Sequence, residues 1–338
     1  MSQNRRESGL IAGREKMKNS QPTKKTAGTV LTAAVAASLI VLCFLLSDYS
    51  LSDRQSSTLK ILLAVCGGSI LYCFTAGEAA QNFSQMDKLW SILPVVYLWI
   101  IAGKGGMKPR LVVFALIVTA WGIRLTVNFA RKGAYRLKFW EGNEDYRWAV
   151  VRSNRLFRHR MAWTAFNLFF ISMYQNLLVL AICLPALACM ESSAPFGGAD
   201  AAAAVLAVLF LVLETVADEY QWKFHETKKK LLAEKGDLSS LPEPYNLGFN
   251  TTGPWRRMRH PNYLGEQGIW LSLYLFAAGA GAARYGIFHW TLAGPLLLVL
   301  LFMGSSTLGE AISSAKYPMY GDYTNRVYKY IPIRKYRN

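Results

Sequence analysis

Eight apolar stretches alternate with polar loops along this chain: Gly28–Ser47, Thr58–Gly77, Trp90–Ala102, Arg110–Phe129, Ala162–Met190, Ala201–Ala217, Leu264–Ala283 and Ile287–Leu308. Most approach the roughly twenty residues that a helix needs to cross a hydrocarbon core. Gly28–Ser47 is too long for a signal-peptide core and lacks a cleavage site, so it reads as the first span. The pattern predicts an all-α, polytopic membrane protein of about eight transmembrane helices. A single transmembrane domain is expected over residues 28–338. Residues 1–27, polar and basic without apolar period, are expected to form a flexible cytoplasmic tail.

Polar residues interrupt these spans in a regular way. Arg124, Asn128, Arg131 and Tyr135 fall at i, i+4, i+7 and i+11, one face of one helix. Glu214, Asp218, Gln221 and His225 repeat that spacing, as do Ser306, Glu310, Ser313 and Tyr317. Asn262, Glu266 and Trp270 make a fourth stripe. Stripes of both signs on facing helices can satisfy one another, which is how charges persist within a bilayer. Four helices joined only by ion pairs would account for any one stripe. The convergence of all four at one depth favours a ligand-holding cavity open to the cytoplasm.

The stretch Gly253–Glu266 concentrates this chemistry. Pro261 suits the first turn of a helix, where its missing N–H needs no partner. Trp255, Arg256, Arg257, Arg259 and His260 precede that turn, and Tyr263 follows it. The lip is cationic, and it leads into a helix that carries a carboxylate, Glu266, about one turn inside.

Charge fixes an expected orientation. Of 38 Lys and Arg residues, 31 fall in the tails and loops that an eight-span topology puts inside. Only Arg54, Lys104, Lys108 and Arg284 fall outside. Both termini are therefore expected in the cytoplasm. A 52% hydrophobic chain with 17% charged residues has no polar domain, so its net charge of +17 does not point to nucleic acid. Five cysteines in or beside apolar runs and four scattered histidines imply neither a disulfide framework nor a metal. No Gly-rich nucleotide loop lies between a strand and a helix. Any nucleotide is bound without a soluble Rossmann domain. The loop Gly142–Trp148 and the tail Tyr317–Tyr323, with Tyr320 and Asp322, mix rings with hydrogen-bonding groups. The loop suits an interfacial amphipathic segment at the headgroups, and the tail suits either a nucleotide or a membrane surface.

Arg259-His-Pro-Asn-Tyr-Leu-Gly-Glu266 resembles the signature of the membrane steroid 5-alpha-reductase superfamily, and most closely its DUF1295 branch. Asp87-Lys-Leu-Trp90, Arg124-Leu with Asn128, Glu144-Asp-Tyr-Arg-Trp148, Glu214-Thr-Val-Ala-Asp218 and Glu310 with Tyr317 and Tyr320 stand in the same order. The resemblance covers roughly residues 80–335. It implies an NADPH-dependent reductase of a carbon–carbon double bond in a hydrophobic, often sterol-like substrate. It places cofactor contacts on Arg131, Tyr135, Asp218, Arg259, Asn262, Tyr263, Glu266 and Tyr320–Tyr323. Glu214, Trp255, His260 and Tyr317 join them as neighbours in the stripes and the lip. The steroid reductases polarise the substrate carbonyl with a tyrosine paired to a glutamate. Asn128 matches that tyrosine here, and Asn128 or Arg124 is the expected electrophile toward an enone oxygen.

Two other readings stand beside the reductase: an S-adenosylmethionine-dependent membrane methyltransferase, which shares the R-H-P-x-Y piece, and a non-catalytic sterol- or lipid-binding protein. The expected location is the endoplasmic reticulum for a eukaryotic chain and the plasma membrane for a bacterial one.

Overall fold

Each apolar stretch becomes a helix in the structure, a computed structural model that describes residues 24–47, 49–282 and 287–332, with side chains from Ala33 onward. Helix α1 spans Lys24–Leu45, α2 Asp53–Ala80, α3 Gln85–Leu89, α4 Leu93–Lys104, α5 Pro109–Ala130 and α6 Tyr146–Arg152. Then follow α7, Arg160–Ala188, α8, Gly198–Lys235, α9, Pro261–Gly279, α10, Ala293–Lys316, and α11, Tyr320–Arg326. Among the described residues no strand forms; one isolated bridge joins Met258 and Tyr328. Most of the expected basic tail, residues 1–23, lies outside the described residues, as do Arg284 and residues 333–338.

Five helices are long and apolar enough to cross a membrane: α2, α5, α7, α8 and the run Trp290–Lys316 that contains α10. The described apolar part of α1, Ala33–Leu45, and helix α4 are shorter. Helix α9 is 19 residues long, and Asn262, Glu266, Gln267 and Ser272 dilute its apolar character.

Local chemistry sets several boundaries. Ser52 and Gln55 form a reciprocal capping box at the start of α2, with side chain to backbone distances of 3.1 and 3.0 Å. Pro109 opens α5 and Pro261 opens α9, the latter at the residue expected. Helix α8 runs well past the apolar segment Ala201–Ala217, to Lys235. Polar pairs one turn apart, Glu219 with Lys223 and Gln221 with His225, carry it onward. Within α7, Asn167–Tyr174 is wound as a π-helix, which the apolar pattern does not encode.

The chain divides into two compact units. The larger comprises Leu39–Val212 and Gly265–Leu298. Its interior is fully buried Leu62, Tyr97, Ile101, Phe114, Trp121 and Ile182 from α2, α4, α5 and α7. Arg110 of α5 and Asp200 of α8 form a buried bidentate pair in this unit, at 2.6 and 2.8 Å. The five cysteines are free and buried. The smaller unit comprises Leu213–Leu264 and the residues from Val299 onward, with those up to Ser38. It holds most of the candidate site.

Candidate functional site

In the smaller unit residues of two polar stripes meet, and Glu310 of a third contacts the lip that precedes α9. Asn262, in the first turn of α9, donates through Nδ2 to Asp218 Oδ1 of α8 at 3.2 Å. Glu310 of α10 accepts from Arg259 Nε at 2.7 Å and Nη2 at 3.4 Å, and lies 2.9 Å from His260 Nε2. The other arm of Arg259 donates to the carbonyls of Thr324 and Val327. The backbone N–H groups of Arg259 and His260 donate to the carbonyls of Tyr328 and Lys329, at 3.0 and 3.1 Å. Arg259 is 7% exposed. Its guanidinium clasps the C-terminal segment against α10.

Burial pulls the His260 imidazole below its ordinary value, although the Glu310 carboxylate opposes this. When neutral, the ring donates to Glu310 in the tautomer that carries its proton on Nε2. Burial likewise pulls Lys329 down, and its Nζ donates to Ser306 Oγ at 3.1 Å.

The tail tyrosines serve packing here. Tyr317, Tyr320 and Tyr323 all place their rings against Phe249, with centroids 5.8, 4.9 and 5.3 Å away. Tyr323 donates its hydroxyl to the Trp255 carbonyl at 2.6 Å, and burial raises its pKa. The Trp255 indole donates to the Ala217 carbonyl at 3.0 Å. Lys228 is buried between the Gly248 carbonyl, 2.6 Å from its Nζ, and the Phe224 and Tyr317 rings. Tyr263 stacks on His260 and meets Phe302 edge-on. Asp322 is exposed on α11, apart from these contacts.

A cleft of about 810 Å³ opens in this unit, lined by Leu213, Gly253, Pro254, Arg256, Arg257, Met258 and Pro332. Buried polar atoms also await partners. Asn262 Oδ1 and Asn250 Nδ2 take no hydrogen bond among the described residues. Orphaned amide atoms of this kind suit a ligand with hydroxyl or carboxamide groups.

The remaining predicted residues lie in the larger unit. Glu266 is 3% exposed and accepts from three indoles: Trp121 at 2.6 Å, Trp270 at 3.3 Å and Trp90 at 3.5 Å. On α5, Arg131 Nε donates to Asn128 Oδ1 at 3.0 Å, which orients the Asn128 amide with Nδ2 as its donor end. Arg124 is half-buried one turn before. Tyr135 donates to the Lys88 carbonyl at 3.0 Å. The Gly142–Trp148 loop docks on residues 82–88 rather than presenting a free amphipathic face. Glu144 accepts from Phe83 N at 2.7 Å, Trp148 donates to Asp87 at 2.8 Å, and Arg147 pairs with Asp145 at 2.7 Å. Burial raises Asp87 despite Arg147. Burial opposes ionisation of Asp145 as well, but Arg147 and its backbone N–H prevail and lower it.

So the structure gathers Asp218, Trp255, Arg259, His260, Asn262, Tyr263, Tyr317, Tyr320 and Tyr323 into one unit, with Glu214 buried in it. It places Arg124, Asn128, Arg131, Tyr135 and Glu266 in the other. Sequence reasoning passed over Phe249, Lys228 and Asn250, which lie in a polar loop or beyond the apolar part of α8. It also passed over Trp121, one aromatic among many in an apolar run. Glu310 stood in a stripe, but its bond to Arg259 crosses 51 positions and has no local signature.

The family described as "Protein of unknown function (DUF1295)" matches residues 73–327. The chain is 35% identical over 285 residues to "Uncharacterized protein C594.04c" of Schizosaccharomyces pombe, an alignment that covers 80% of this chain and 78% of that protein. No solved structure matches.

Proposed function

We propose, from the premise that this chain belongs to the DUF1295 family, that it is a membrane reductase. In this reading it uses NADPH to saturate a carbon–carbon double bond in a hydrophobic, lipid- or steroid-like substrate. All eight apolar helices are taken as spans with both ends cytoplasmic. The likeness of the Arg259–Glu266 motif to the steroid 5-alpha-reductases supplies the reaction class.

The observation that carries the reading is the meeting of the α8 and α9 polar stripes in one unit, with Asp218 hydrogen-bonded to Asn262 and a buried acceptor, Asn262 Oδ1, still unmatched. A membrane helix end holds such a group at a cost unless a ligand completes it. Asp218 suits ribose hydroxyls as an acceptor, and Asn262 can bridge to a hydroxyl or a carboxamide. Bound NADPH supplies a hydride. Arg259 acts here as a positioning residue, because its donors hold Glu310 and the tail. On α5, the donor end of Asn128 suits an enone oxygen, and Arg131 fixes its orientation.

Thermal unfolding of the detergent-solubilised protein with NADPH, NADH or S-adenosylmethionine tests this. A ligand that binds only the native state raises the midpoint. A rise with NADPH and none with S-adenosylmethionine is expected. A rise with S-adenosylmethionine alone would overturn the reductase for a methyltransferase.

A further inference from the structure

The motif upstream of α9 carries three arginines, and the structure gives them different work. Arg259 is spent on Glu310 and on two tail carbonyls. Arg256 and Arg257 are exposed and make no ion pair or side-chain hydrogen bond among the described residues. Both line the cleft with Leu213, Pro254, Met258 and Pro332, a lining without a single acidic side chain. Their backbone is not loose. Arg257 N and Met258 N both donate to the Pro254 carbonyl, at 3.0 and 3.2 Å, and Tyr323 holds the Trp255 carbonyl. Gly253 turns the chain with φ +53°, pressed so close to Tyr220 that an added Cβ would lie 2.5 Å from its ring. Two guanidinium groups are therefore presented from a fixed turn over a cleft that is otherwise apolar.

We infer that Arg256 and Arg257 form a phosphate-binding subsite in this cleft. Guanidinium groups pair bidentately with phosphate oxygens, and adjacent apolar walls strengthen that pairing by excluding water. The shared chemistry is a phosphate monoester. One source is the 2′-phosphate of NADPH, an assignment that rests on the reductase reading. The other is the headgroup of an anionic phospholipid such as phosphatidic acid, with Leu213 and Pro332 beside its glycerol and acyl carbons.

The test compares wild type, the double variant Arg256→Gln/Arg257→Gln and the charge-preserving Arg256→Lys/Arg257→Lys in two arms. The first measures NADPH and NADH binding in detergent. The second measures retention of phosphatidic acid against phosphatidylcholine in mixed micelles. A loss of about tenfold or more in NADPH affinity in the Gln variant, with NADH unchanged and partial recovery in the Lys variant, establishes the subsite with the cofactor as source. Unchanged NADPH binding with lost preference for phosphatidic acid establishes it with the lipid as source. Equal losses for NADPH and NADH, or no loss in either arm, overturn the subsite. Wild type that binds neither nucleotide removes the reductase reading, and the lipid arm then decides the subsite alone.

Discussion

Trp121 donates its indole N–H to Glu266 across 145 positions of sequence, at 2.6 Å. Trp270 and Trp90 donate to the other carboxylate oxygen at 3.3 and 3.5 Å. A carboxylate that is 3% exposed inside a helical bundle is thereby satisfied without any cation among these donors. Indole has one N–H and no acceptor, so each of the three rings needs an acceptor oxygen, and the two carboxyl oxygens of Glu266 supply them. Glu266 accordingly ties α5 to α9 within the larger unit.

Glu266→Gln turns one of those acceptors into a donor that faces an indole N–H. Loss of roughly 1–3 kcal/mol of stability is expected, and Trp121→Phe should lose a similar amount. Unfolding in detergent followed by tryptophan emission reads both. Wild-type midpoints in both variants would remove the trio from the stability of the bundle.

Acid should loosen the clasp around Arg259. Burial holds His260 below its ordinary value of 6.5 in the folded chain. The unfolded chain therefore binds this proton first as pH falls, and stability declines from about pH 7 downward through the folded pKa. Glu310 and Arg259 both touch this ring's surroundings, with Lys329 nearby, so the comparison must isolate the imidazole. His260→Gln should flatten the decline between about pH 7 and 5. A midpoint equally pH-sensitive in that variant would assign the effect elsewhere.

Glu310→Ala leaves Arg259 buried with its main partner gone. Breaking a buried pair of this kind costs roughly 3–5 kcal/mol, and the tail it anchors should become accessible. Limited trypsin digestion at Arg326 or Lys329 is expected to speed up before the rest of the chain is cut. Unaltered protection of both sites would mean the Phe249–tyrosine cluster alone holds the tail.

Gly253→Ala places a side chain at φ +53° and 2.5 Å from the Tyr220 ring. Backbone strain alone costs about 1 kcal/mol, and the clash adds to it. Tyr220→Ala in the same chain should recover the clash but not the strain. A single variant as stable as wild type would show that the turn relaxes freely.

Asp200→Asn removes the charge that faces Arg110, whose side chain is 6% exposed. The expected loss is roughly 3–5 kcal/mol, and Arg110→Met in the Asp200→Asn background should restore part of it. Chemical denaturation of the purified protein separates the three. No loss in the single variant would show that the carbonyls of Ala194 and Pro195 suffice for Arg110.

Periodicity and composition alone determined that this chain is helical and membrane-bound, because a bilayer forces each apolar segment to satisfy its own backbone. They also placed the start of α9 at Pro261 and the polar stripes on single helix faces, since both follow from the 3.6-residue turn. Only the tertiary structure decided what those polar residues do. Arg259 reads in sequence as a donor to an anion, and in the structure its donors hold Glu310 and the tail. Glu266 reads as a cofactor contact, and in the structure it receives three indoles. Tyr317, Tyr320 and Tyr323 read as ring faces for a ligand, yet they pack on Phe249. A side chain's role depends on which distant group reaches it first, and that competition is settled across tens to hundreds of positions, where spacing along the chain carries no information. The two arginines left exposed, Arg256 and Arg257, became distinguishable from Arg259 only once the partners of Arg259 were known.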